Sequence, residues 1–159
     1  MNCTQLVASQ GGDVLLLSMR KMARLVAYCP QYEFEDVITE VTGADRIDVL
    51  DESNALEWSR RLYRYTRGLR RRGSLGPFSG LHRQLELQRD YQLFFPVFNH
   101  PHELFALASV RDWRKHCRFA ACYIGEMWMH RLPTYLLDLL GDFDHIFLGV
   151  TRPMADRAP

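Results

Sequence analysis

A Rossmann-like α/β fold, three layers built around a mostly parallel sheet of about five strands, is predicted by two observations. Five short apolar runs alternate along the chain with stretches in which apolar residues recur at helical spacing. The later runs give way, at their carboxyl ends, to polar or glycine-bearing loops, where such sheets hold ligands. With 159 residues, the chain fits one domain, which buries roughly 70% of its extended surface without disulfide or metal staples.

The first strand is Asp13 to Ser18 (DVLLLS), behind a Gly11-Gly12 turn and an N-terminal extension of residues 1–12. Met22, Leu25, Val26 and Cys29 follow at helical spacing until Pro30 stops the run, and Tyr32 to Ile38 starts a second helical stretch. Arg46 to Leu50 (RIDVL) alternates polar and apolar residues, as a strand near a sheet edge does. From Ala55 to Leu69 an apolar stripe of Leu56, Trp58, Leu62, Tyr63, Tyr65 and Leu69 predicts a helix whose other face carries Arg60, Arg61, Arg64 and Arg67.

The breaker segment Gly73 to Gly80 (GSLGPFSG) predicts a flexible exposed loop. Tyr91 to Val97 (YQLFFPV) reads as a central strand closed by Pro96. The polar loop Asn99-His100-Pro101-His102-Glu103 then leads into a helical stretch, Leu104 to Ala108. Trp113 precedes the strand Arg118 to Ile124 (RFAACYI), which ends in Gly125-Glu126. Leu132-Pro133 opens a helix with proline in its first turn, and Tyr135 to Leu140 supplies its apolar face. His145 to Val150 (HIFLGV) is the fifth strand, before a short polar tail at residues 151–159.

Composition excludes several classes. No apolar run approaches the ~20 residues that span a bilayer, and no signal-peptide pattern opens the chain. The four cysteines, Cys3, Cys29, Cys117 and Cys122, form no CxxC pair or zinc-knuckle spacing; reduced thiols in a cytoplasmic protein are expected. There is no GxGxxG, GxxxxGK[ST] or GxSxG segment, so neither a self-sufficient nucleotide enzyme with a bound cofactor nor a serine hydrolase is indicated.

The net charge of +1 hides an imbalance, for 18 of the 20 basic residues are arginine. Arg60, Arg61, Arg64, Arg67, Arg70, Arg71 and Arg72 form one basic stretch that could meet an anionic membrane surface or an acidic partner. A sequence pI near 7.7 argues against a dedicated nucleic-acid module. At the strand ends, Arg20 and Lys21 could reach an anion, although the backbone there lacks the glycines that wrap a phosphate. Asn99, His100, His102 and Glu103 could hydrogen-bond hydroxyl groups, with His100 or Glu126 as proton acceptor. A metal site at His100, His102 and Glu103 is a weaker reading, because the spacing is unspecific and no fourth ligand is fixed. Trp128, with Met127 and Met129, could offer an apolar platform or simply join the core.

The opening DVLLLSMRKMARLVAYCPQYEFEDVI, the central YQLFFPVFNHPHELFAL and the closing CRFAACYIGEMWMHRLPTYLLDLLGDFDHIFLGV together resemble the N-terminal half of bacterial glycosyltransferases of the two-domain GT-B type, over roughly residues 13 to 150. The arginine-rich middle is the least similar part. The resemblance implies a Rossmann-like domain on the acceptor side of a cleft, facing a second domain that binds the nucleotide-sugar; both halves are needed for transfer. It implies acceptor contacts at Asn99, His100, Glu103 and Glu126, with Arg20 and Lys21 meeting phosphate across the cleft. The tail departs from the family pattern, since Pro153 and Pro159 stand where a helix and a crossover are expected. Two expectations follow: an acceptor-side domain that is inactive alone, or a noncatalytic assembly protein that docks on a larger complex or a second copy through its arginine-rich helix.

Overall fold

The computed structural model describes residues 4–8, 11–20, 29–49, 85–126 and 134–149. In chain order the strands are β1 (Thr4–Ala8), β2 (Val14–Ser18), β3 (Asp45–Val49), β4 (Leu85–Glu86), β5 (Tyr91–Phe98), β6 (Val110–Arg111), β7 (Cys117–Ile124) and β8 (His145–Leu148). The α-helices are α1 (Cys29–Thr42) and α2 (Thr134–Leu140). Six strands make one sheet in the order β1-β3-β2-β5-β7-β8, and β4 and β6 form a separate parallel pair. Only β1 is antiparallel within the large sheet. Its five parallel strands therefore follow the doubly wound order 2-1-3-4-5, with the order reversing between β2 and β5.

Period-two alternation sorts the strand side chains onto two faces. Leu15 and Leu17 of β2, Phe94 and Phe98 of β5, and Ala120, Cys122 and Ile124 of β7 enter the larger core cluster. There they meet Leu104, Phe105 and Leu107 of a 3-10 helix, Pro101–Ser109, and Leu136, Leu139 and Leu140 of α2. Phe94 anchors this layer, its ring centroid 4.7 Å from that of Trp113 and 6.5 Å from that of Phe143. On the opposite face Leu16, Phe95 and Val97 pack with Ile38 of α1. Helical layers thus lie on both sides of the sheet, as the alternating pattern predicts.

Three readings of the sequence are corrected. The N-terminal extension contains β1, whose pairing with β3 moves the Arg46 to Leu50 run off the sheet edge. Its polar residues signalled exposure but are paired: buried Asp45 accepts from Arg89 Nη2 at 2.8 Å and from the Tyr91 hydroxyl at 2.9 Å, and Arg46 Nε lies 3.0 Å from buried Asp48. Pro30 opens α1 rather than standing before it, because a first-turn proline sacrifices no helical hydrogen bond. Pro96 lies inside β5, opposite Leu17, and the strand continues to Phe98, an interior position where proline is uncommon because it donates no ladder hydrogen bond. The helical stretch expected at Leu104 to Ala108 lies within a 3-10 helix, Pro101–Ser109.

Asp45 and Arg89, with the carbonyl of Gly12 as a second acceptor for Arg89, tie the amino ends of the parallel strands together. At Gly12 a Cβ would come within 2.1 Å of the Gly43 carbonyl oxygen, so this turn requires glycine. The expected helix at 55–69, the loop at 73–80 and the tail at 151–159 lie outside the described residues. Among the described residues no helix is long and apolar enough to cross a membrane.

Burial pushes the thiols of Cys117 and Cys122 up to about 11 and about 12, so both are inert core residues. Native-state alkylation followed by peptide mapping is expected to leave both unmodified at pH 8, and both should react after unfolding in guanidinium. Native labelling of Cys122 at the unfolded rate would contradict the packing of β7.

Candidate functional site

Ligands in doubly wound sheets bind beyond the carboxyl ends of the strands at the reversal point, here beyond Ser18 of β2 and Phe98 of β5. Ser18 is buried and lies opposite Val97. Its hydroxyl donates to Glu35 Oε2 at 2.6 Å, and Arg20 Nε donates to the same oxygen at 2.9 Å. The Arg20 Nη2 group donates to the Tyr32 carbonyl at 2.9 Å and to Asp36 Oδ1 at 2.8 Å. Arg20 therefore cross-links the end of β2 to α1. Burial raises the Glu35 carboxyl above its ordinary range, opposed by the Ser18 hydroxyl and the Arg20 charge.

Across the reversal point, Asn99 is 2% exposed. Its backbone N–H donates to Glu103 Oε2 at 2.6 Å, and its Nδ2 lies 3.3 and 3.4 Å from the two carboxyl oxygens. Asn99 Oδ1 is buried without a partner. The sequence produces this local fold directly: Pro101 starts the 3-10 helix, and a carboxyl two residues later returns over its first turn to Asn99. Burial pushes the Glu103 carboxyl up to about 7, against the pull of the Asn99 backbone and side-chain N–H groups; the Glu35 charge adds a smaller push in the same direction. Near neutral pH this carboxyl is divided between its protonated and ionised forms, as a general acid or base requires.

Above this pair, His100 Nε2 stands 3.6 Å from Glu126 Oε2, with both side chains about one-third exposed. Backbone bonds fix the juxtaposition. The N–H of Gly125 donates to the Phe98 carbonyl and that of Glu126 to the Asn99 carbonyl, each at 2.8 Å, carrying the β5–β7 connection past the strand ends.

The structure thus brings together Asn99, His100, Glu103 and Glu126, four of the residues singled out in the sequence. Arg20 is at the same edge but engaged by Glu35 and Asp36. His102 is half-buried on the 3-10 helix. Lys21, Trp128 and Arg60, Arg61, Arg64, Arg67, Arg70, Arg71 and Arg72 lie outside the described residues. Among the described residues no three His, Cys, Asp or Glu side chains are grouped as metal ligands; Glu103 is turned to Asn99, whereas His100 faces Glu126.

Glu35 was missed. It is an acid on the helix face shared by Gln31 and Ile38, with Arg20 as counter-charge, while the apolar Phe34 and Val37 of the same stretch are exposed.

Fold and edge define a doubly wound α/β domain with a polar carboxyl edge and a proton-holding carboxyl at the reversal point. No family model, curated protein or solved structure matches the chain.

Proposed function

We propose that this chain is the acceptor-side domain of a GT-B type glycosyltransferase of the cytoplasm, binding a hydroxyl-bearing acceptor at its carboxyl edge and inactive in sugar transfer without a nucleotide-sugar-binding domain. The observation that carries the reading is the Asn99–Glu103 pair at the reversal point, a carboxyl able to hold or take a proton near neutral pH. His100 and Glu126 stand beside it as the exposed groups that would meet the acceptor hydroxyl. Resemblance of the flanking segments to that family supports the same assignment. Arg20 would act from behind, keeping Glu35 and the end of β2 in place.

Nucleotide release and acceptor binding test this proposal. The chain alone is expected to release no nucleotide from a panel of nucleotide-sugars above the spontaneous rate, while calorimetry detects binding of at least one mono- or disaccharide, weakened about tenfold or more in Glu126→Ala. Turnover at an ordinary enzymatic rate by the chain alone would overturn it, as would a complete lack of saccharide binding.

A second reading, an assembly protein docking on a larger complex or a second copy, is favoured by the exposed Phe34, Val37, Val41, Phe119 and Phe147. Light scattering coupled to size exclusion separates the two. A clean monomer that recovers no stable partner counts against assembly.

A further inference from the structure

A half-open cavity of about 230 Å3 lies against α1 and β7, lined by Pro30, Gln31, Phe34 and Tyr123. It is smaller than the roughly 300–1,000 Å3 of pockets for drug-sized ligands, so it suits a single ring. Its walls are mainly rings: the centroids of Phe34 and Tyr123 are 5.3 Å apart, tilted by 54°. That spacing lies within the range in which aromatic groups contact one another favourably, and a further aromatic ring can join such a pair edge-to-face or offset.

One polar demand stands out among these apolar walls. Gln31 Oε1 is buried with no hydrogen-bond partner, and a buried acceptor left unpaired costs roughly 1–3 kcal/mol. The oxygen is reached from the cavity by rotation of the Gln31 side chain, and a ligand donating one hydrogen bond to it would then remove that cost. A saccharide is a poorer match, because most of its hydroxyls would lose water against proline and aromatic rings without gaining partners.

Glycine keeps the space open. A Cβ on Gly125 would stand 2.9 Å from Gln31 Nε2 and 3.4 Å from Tyr123 Cε1, and Gly125 has no left-handed backbone to protect. An alanine there is conformationally permitted and would push the Gln31 amide, so it is a probe of the cavity.

We infer that this cavity binds an aromatic ring bearing a single hydrogen-bond donor, of phenol or indole type, stacked against Phe34 and Tyr123 and donating to Gln31 Oε1. The site adjoins the saccharide contacts proposed above, since Gly125 directly precedes Glu126, but does not depend on them. A free small molecule and a tyrosine side chain of a partner share this chemistry.

Titration of the isotope-labelled full chain with p-cresol, indole, toluene, glucose and N-acetyltyrosine amide tests the inference through the Gln31 side-chain amide and Tyr123 ring resonances. p-Cresol or indole should bind with millimolar or better affinity, toluene at least fivefold more weakly, and glucose without effect at these resonances. Gly125→Ala should weaken p-cresol about tenfold, and Gln31→Leu should abolish the preference for p-cresol over toluene. Circular dichroism and unfolding curves check that both variants remain folded. N-Acetyltyrosine amide binding as tightly as p-cresol supports a protein-borne ring, and markedly weaker binding supports a free small molecule. No response to any aromatic probe, equal affinity for toluene and p-cresol in the unmodified chain, or tighter binding of glucose would overturn the inference. Failure here with saccharide shifts retained at Asn99 and Glu126 would leave the proposed function standing.

Discussion

Glu103→Gln is expected to make the protein more stable than the unmodified chain at pH 8, by about 3 kcal/mol at most, and to flatten its pH dependence between pH 4.5 and 7. The carboxyl is largely withdrawn from water, though the residue is of intermediate exposure, and sits at about 7, against an ordinary value of 4.5. In that window the folded chain holds a proton that the unfolded chain has released. Stability attributable to Glu103 is therefore fully present below about pH 4.5 and is lost as pH rises through 7. Each unit of displacement corresponds to about 1.4 kcal/mol, which sets the upper figure. Glutamine keeps the shape and an acceptor for the Asn99 N–H while never ionising. Denaturant unfolding at pH 5, 6, 7 and 8 measures both proteins. If their stability difference does not change across this range, Glu103 does not hold its proton as described.

Arg20→Ala should act in the opposite direction, lowering stability by about 3 kcal/mol at pH 7. Removing one member of a buried ion pair leaves the other uncompensated, which typically costs about 3–5 kcal/mol. Glu35 is 1% exposed and would retain the Ser18 hydroxyl and the weaker influence of the Arg46 charge. The lower end of the range is expected because Arg20 is itself partly exposed and Glu35 can take up a proton instead. Glu35→Gln in the Arg20→Ala background should recover part of the loss, since an amide needs no counter-charge. Equal unfolding midpoints for Arg20→Ala and the unmodified chain would show that the guanidinium is not holding β2 to α1. It would then be free for the phosphate contact the sequence suggests.

The sheet was legible because its strands are short apolar runs bounded by turn residues: Val14 to Ser18 and Tyr91 to Phe98 could hardly be anything else. Strand order was not legible. β3 reads as an edge strand because Asp45, Arg46 and Asp48 look solvated, and only the three-dimensional pairing with Arg89 and Tyr91 reveals why these charges are inside. β1 escaped notice because Thr4 to Ala8 is a short run in which only Leu6 and Val7 are strongly apolar, and its pairing partner lies some forty residues away. At the site, Asn99, His100, Glu103 and Glu126 could be named from their positions after strands. Their separate roles could not, since the inward turn of Glu103 and the outward pairing of His100 with Glu126 depend on backbone bonds between neighbouring strands. Glu35 and the Gln31 cavity required the orientation of α1, which a stretch with apolar residues on more than one face does not specify.

Ligand binding at the carboxyl edge of the β2/β5 reversal point, as proposed above, has a direct readout. Backbone amide shifts during saccharide titration of the labelled chain measure it most directly. The largest changes are expected on Asn99, His100, Gly125 and Glu126, with smaller ones at Ser18 and Arg20. Changes confined to the opposite edge, at Asp13, Asp90 and His116, would contradict it.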